Sequence, residues 1–152
     1  MLTVSAMLLL CTCHTVFGQT NWTKYDAIVD LTANDVEELS NKITQNYETP
    51  KEKVEALYYW VARNIAYDHR LLEKRMNDAK KPKRYRQAEI QEKIAGEVSY
   101  SLKRKKGICQ NYAYTFQALC RQINIPCEFI GGWSRTNPEN TNSIGGRHAW
   151  NR

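Results

Sequence analysis

The chain predicts an α+β domain in which helices come first and strands follow. Three stretches carry that prediction: Thr49-Pro50-Lys51-Glu52 is a helix start, Ile108 to Ile123 keeps apolar residues at helical spacing, and Cys127 to Trp133 reads as a buried strand after the helix-ending pair Ile125-Pro126. The chain has 152 residues, 42% of them hydrophobic, with four Trp, nine Tyr and three Phe, which is enough to enclose one core.

Residues 1–18 differ from the rest. Val4 to Cys13 is largely apolar, no charged side chain precedes Lys24, and Val16-Phe17-Gly18 ends on a small residue ahead of Gln19. This pattern is expected of a secretory signal peptide, leaving 19–152 as one domain of a secreted or periplasmic protein. A membrane span needs roughly 20 apolar residues, and Thr12, His14 and Thr15 interrupt this run. No membrane span is therefore expected, and a lipoprotein anchor at Cys11 or Cys13 is the weaker alternative. Asn21-Trp22-Thr23 is a glycosylation sequon if the source is eukaryotic.

Ile28, Leu31, Val36 and Leu39 suggest short helical pieces between Tyr25 and Leu39. The next signal is sharper. Thr49 as N-cap, Pro50 at the first helical position and Glu52 at the third form a capping box, and Val54, Leu57, Val61 and Ile65 continue on one face with Trp60 beside it, so a helix is expected from there to about Tyr67.

Residues 70–106 form a basic insertion. They carry 13 Lys or Arg against 5 Asp or Glu, while the remainder carries 9 against 11, so the whole net charge of +6 originates here. Lys80-Lys81-Pro82-Lys83-Arg84-Tyr85-Arg86 offers a docking surface for an acidic partner such as a cell-surface polymer. A solvated loop followed by a helix is the preferred reading, with Ile90, Ile94, Val98 and Leu102 keeping the helical beat. No nucleic-acid recognition motif accompanies the charge, so nucleic acid is not expected as a partner.

Gly107 then breaks the pattern, and Tyr112, Ala113, Phe116, Leu119, Cys120 and Ile123 recur at helical spacing. Cys109 falls in the first turn of that helix. Unpaired N–H groups and the positive end of the helix dipole favour an anion there, which suits a thiolate, the reactive form of cysteine. Lys103 to Lys106 act in the same direction if they lie close. The bland alternative is a small buried thiol.

Beyond residue 18 the cysteines are Cys109, Cys120 and Cys127. One Cys120–Cys127 pair plus a free thiol is the simple arithmetic, although two reduced core cysteines are favoured. No metal site is expected: a zinc site from three Cys and His148 has acceptable ligand types but no C-x-x-C knuckle. No cofactor is implied either.

A polar loop, Ser134 to Ser143, leads to Gly145-Gly146-Arg147-His148-Ala149-Trp150-Asn151. On a strand, His148 and Trp150 share one face and Ala149 points the other way. Cys109 at a helix N-terminus and His148 on a following strand are the parts of a Cys–His pair, in which imidazole takes the thiol proton and returns it to a leaving amine.

Several blocks occur in order: Glu52-Lys53-Val54, Ala56 to Val61, Asn64-Ile65-Ala66-Tyr67-Asp68, Lys106 to Ala113, Gly132-Trp133 and Arg147 to Asn151. Together they resemble the transglutaminase-like superfamily, most nearly its secreted bacterial members, which also resemble kyphoscoliosis-type peptidases. The resemblance spans most of residues 45–152. It implies a papain-like α+β core with the nucleophile on a central helix packed on an antiparallel sheet. It also matches Cys109 to the family nucleophile and His148 to its base, with Gly107, Gln110, Tyr112 and Trp150 in support.

The family completes its triad with an acid on the next strand, and Arg152 ends the chain before one. The expectation is therefore a C-terminally truncated sheet and poor activity of this chain alone, since replacing the acid of a serine-protease triad lowers turnover about 10⁴-fold. The implied activity is acyl transfer or hydrolysis at amides of a protein or peptide substrate, whether as peptidase, deamidase or cross-linker. A glycanase is less favoured because paired C-x-x-C motifs are absent. The competing class is a non-catalytic module of the same fold that recognises protein or cell-surface partners.

Overall fold

A computed structural model of the chain describes residues 21–78, 86–134 and 146–152. The expected signal peptide, residues 80–85 of the basic run and residues 135–143 of the polar loop lie outside the described residues.

A 3-10 helix, Trp22–Ile28, opens the fold with the Asn21 side chain accepting from the Thr23 N–H. Helix α1, Val36–Thr44, is capped by Asp35, which accepts from Glu38 N–H at 2.8 Å. Helix α2, Pro50–Asn64, carries the expected capping box, with Thr49 Oγ1 accepting from Glu52 N–H and Glu52 Oε2 accepting from Thr49 N–H. Strand β1, Ala66–Tyr67, precedes α3, His69–Asp78; α4 is Gln87–Arg104, β2 is Lys106–Gly107 and α5 is Cys109–Gln122. Strands β3, Phe129–Trp133, and β4, Arg147–Asn151, form an antiparallel hairpin that pairs Gly132 with His148 and Ile130 with Trp150.

Helix α5 is central: it packs against α1, α2, α4 and both strands of the hairpin. Tyr25, Leu39, Ile43, Leu57, Trp60 and Leu119 are fully buried or nearly so between the 3-10 helix, α1, α2 and α5. Each large apolar side chain enclosed in this way contributes about 1.5–3 kcal/mol. Trp60 is held further, because its indole N–H donates to the Leu31 carbonyl at 3.0 Å and the Lys105 ammonium lies 4.4 Å from its ring centroid. No helix among the described residues is long and apolar enough to cross a membrane.

Three boundaries differ from expectation. Helix α2 stops at Asn64 rather than near Tyr67, because Ile65 turns extended and Ala66 and Asp68 donate their N–H groups to Lys105 and Gly107, both at 2.9 Å. The first part of the basic segment is a helix, not a loop: Asp68 accepts from the Leu71 N–H at 3.0 Å and starts α3. Strand β3 begins at Phe129 rather than Cys127, although Glu128 and Arg152 exchange backbone hydrogen bonds just ahead of it.

Candidate active site

The backbone before the nucleophile is tied down from both sides. Strands β1 and β2 run parallel with Tyr67 opposite Gly107. Ahead of β2, Lys105 caps the end of α4 in the left-handed conformation (φ 52°), its N–H donating to the Ser101 carbonyl. Gly107 is required by packing, since a Cβ there would lie 2.5 Å from Asn111 Cβ. Asn111 is fully buried. Its Oδ1 accepts from the Ile108 N–H at 3.1 Å, and its Nδ2 donates to the Glu97 carboxylate at 2.8 Å and the Glu97 carbonyl at 3.2 Å. Glu97, itself buried, also pairs with Arg75 on α3. A polar strut thus runs from α3 through α4 to the start of α5, and every member is hydrogen-bonded, which low-dielectric burial demands. Cys109 emerges as the first residue of α5.

The hairpin supplies the opposite wall. Its pleat buries Ala149 and leaves His148 and Trp150 exposed on one face, their rings stacked at 6.1 Å. Gly132 lies under Trp150, where a Cβ would come 2.7 Å from the indole. Asn151 Nδ2 donates to the Ala113 carbonyl at 3.0 Å and docks β4 on α5, while Phe129, stacked on Tyr114 at 4.3 Å, docks β3.

Cys109 and His148 border one cavity of about 460 Å³. Tyr58, Val61, Tyr67, Tyr112, Ala113, Phe116, Ala149, Trp150 and Asn151 complete its lining, so its walls are mostly aromatic and aliphatic and include no carboxylate. Of the expected supporting residues, Tyr112 and Trp150 line this cavity. Gly107 lies beneath the nucleophile's approach, while Gln110 turns to the Tyr114 hydroxyl at 3.4 Å. The Tyr112 hydroxyl donates to the Ile65 carbonyl and ties α5 to the end of α2. Among Lys103–Lys106, Lys105 is engaged over Trp60, and burial lowers its pKa.

Burial raises the phenol pKa of Tyr67, and charge on Cys109 adds to the rise; burial, then Tyr67, does the same to Tyr112. Cys120 and Cys127 are free thiols in mutual contact, and burial pushes Cys120 up to about 12. Among the described residues no group of three or more His, Cys, Asp or Glu could hold a metal ion.

Glu97 is not legible as a site residue in the sequence, and Asn111, Gly132 and Tyr67 stand there only as parts of motif blocks. Asn111 did carry a signal: it occupies the third helical position, where a side chain reaches back to the preceding N–H.

Comparison with known proteins adds an independent line. The sequence model of the Transglutaminase-like superfamily matches residues 37–152. Kyphoscoliosis peptidase of Homo sapiens is 27% identical over 119 residues, which cover 76% of this chain and 16% of that protein. Its Mus musculus counterpart is 26% identical over 117 residues, 75% of this chain and 15% of that protein. The chain therefore spans about one-sixth of the length of these relatives. No solved structure matches it significantly.

Proposed function

Because the chain belongs to the transglutaminase-like superfamily, we propose that its aromatic cavity performs cysteine-dependent acyl transfer or hydrolysis at a protein or peptide amide. The observation that carries this reading is a single cavity bordered by a cysteine at the first position of a helix and a histidine on a neighbouring strand. Cys109 Sγ attacks the carbonyl carbon, and His148 takes the thiol proton and passes it to the leaving amine. The Cys109 backbone N–H, one of the unpaired donors at the start of α5, helps hold the oxyanion. Water resolves the acyl-enzyme in a peptidase or deamidase, and an amine resolves it in a cross-linker. Export by residues 1–18 belongs to the same proposal, as does docking of an acidic partner on Lys80 to Arg86.

A binding module without catalysis is the second reading, supported by Trp133 at 60% exposure and Tyr58 at 56%. Limited iodoacetamide at pH 8 separates the two. On the enzyme reading Cys109 is alkylated first, the rate falls in His148→Ala, and Cys120, protonated and enclosed, reacts only on unfolding. A Cys109 no faster than Cys127, with no response to His148→Ala, leaves the binding module as the reading.

A further inference from the structure

We propose that Cys120 and Cys127 are a disulfide site, and that the bridge clamps the end of α5 to the chain entering β3. Neither thiol borders the cavity, so the bridge is independent of the chemistry at Cys109.

The backbone between the two cysteines is a tight reversal. Asn124 is left-handed (φ 56°), its N–H donates to the Arg121 carbonyl at 3.2 Å, and the Ile125 N–H donates to the Cys120 carbonyl at 3.0 Å. This pair of bonds closes a helix end and turns the chain back on itself. Pro126 follows and prevents the helix from resuming. Cys127 is also held from beyond the turn. Gln117 Nε2 donates to its carbonyl at 3.0 Å, and the next residue, Glu128, exchanges backbone hydrogen bonds with Arg152. Cys127 consequently packs on Cys120, whose thiol donates to the Cys127 sulfur.

A disulfide needs Cα atoms within about 7 Å of each other. Cys109 is excluded as a partner of Cys120, because the two mark opposite ends of α5, about 16 Å apart along its axis. The remaining pair is in contact before any bond forms, so little of the fold has to move.

The two thiols differ in a way that orders the reaction. Cys120 is enclosed, whereas Cys127 is half-buried, and the Cys120 thiol, Arg121 and Asn151 all favour its thiolate. Cys127 Sγ therefore attacks first, on a low-molecular-weight disulfide such as oxidised glutathione, and one glutathione thiolate leaves. That thiolate takes the Cys120 proton. Cys120 Sγ then attacks Cys127 Sγ and expels the second glutathione. Two thiols are oxidised to one disulfide, and one glutathione disulfide is reduced to two thiols. The bridge adds a covalent tie to the Phe129–Tyr114 stack and the Asn151–Ala113 hydrogen bond, which dock the hairpin bearing His148 on α5.

The test incubates the reduced full chain with oxidised glutathione, caps the remaining thiols with iodoacetamide in urea and maps the peptides without reduction. Trypsin cuts after Arg121, between the two cysteines, and fragmentation of the linked peptides assigns the bridge. A Cys120–Cys127 link is expected as the main product, with a melting temperature about 5 °C above that of the reduced chain. In Cys127→Ala, which leaves the enclosed Cys120 in place, the oxidant is expected to leave the melting temperature unchanged. Cys120 recovered with the iodoacetamide cap, and Cys127 capped or carrying glutathione, overturns the disulfide site. A bridge that forms without raising the melting temperature, or an equal rise in Cys127→Ala, overturns the clamp.

Discussion

The side chain of Asn111 lies directly across Gly107, leaving 2.5 Å between its Cβ and the position a methyl group at 107 would occupy. The contact joins the strand before the nucleophile to the helix that bears it, so a change on either side moves Cys109.

Gly107→Ala is expected to destabilise the fold by about 1–3 kcal/mol, the usual range for overpacking. Urea unfolding measures it. Alkylation of Cys109 is expected to slow as well, because the backbone displaced by the methyl group is the backbone that aims the thiol.

Asn111→Ala keeps the Cβ that faces Gly107 but leaves the Ile108 N–H and a Glu97 oxygen buried without their partner. Stranding such groups costs about 1–3 kcal/mol. The double variant Glu97→Gln, Asn111→Ala is expected to lose less than the sum of the two single changes, because both act on one hydrogen-bond network. Additive losses in urea titrations would show that Glu97 and Asn111 act separately.

Asp68 ties α3 to α4, accepting from the Leu71 N–H and from the Tyr100 hydroxyl at 2.8 Å. These two bonds, the backbone one first, hold its carboxyl below the ordinary 3.8. The folded pKa is depressed, so the stabilisation is complete above the unfolded value near 3.8 and disappears as pH falls through the lower folded value. In Asp68→Asn the melting temperature is expected to drop at pH 7, and the gap to wild type is expected to close below pH 3.8. A gap that persists unchanged into that acid range would mean that shape, not charge, makes Asp68 matter.

Local chemistry explains what was readable. The Thr49–Glu52 capping box and the start of α5 after Gly107 each depend on a few adjacent residues, so their positions followed from side-chain type and spacing. The same holds for His148 and Trp150, which alternate with a buried Ala149 because strand side chains repeat every two residues. Strand β1 was not readable: Ala66 and Tyr67 look like the end of α2 until the Ala66 and Asp68 N–H groups meet the Lys105 and Gly107 carbonyls, some forty positions away. Helix α3 was hidden by its charge, which resembles a solvated loop until the Asp68 cap and the Glu97–Arg75 pair are in place.

The sequence by itself determined the α+β class, the helix that begins at Cys109 and the face shared by His148 and Trp150, because each follows from backbone periodicity and caps within a turn or two. Only the tertiary structure decided that Cys109 and His148 border one aromatic cavity, that Asn111 and Glu97 brace the nucleophile's approach, and that Tyr67 lines the same cavity. Those relationships join residues some forty positions apart, and they exist only once α5 packs between the other helices and the β3–β4 hairpin.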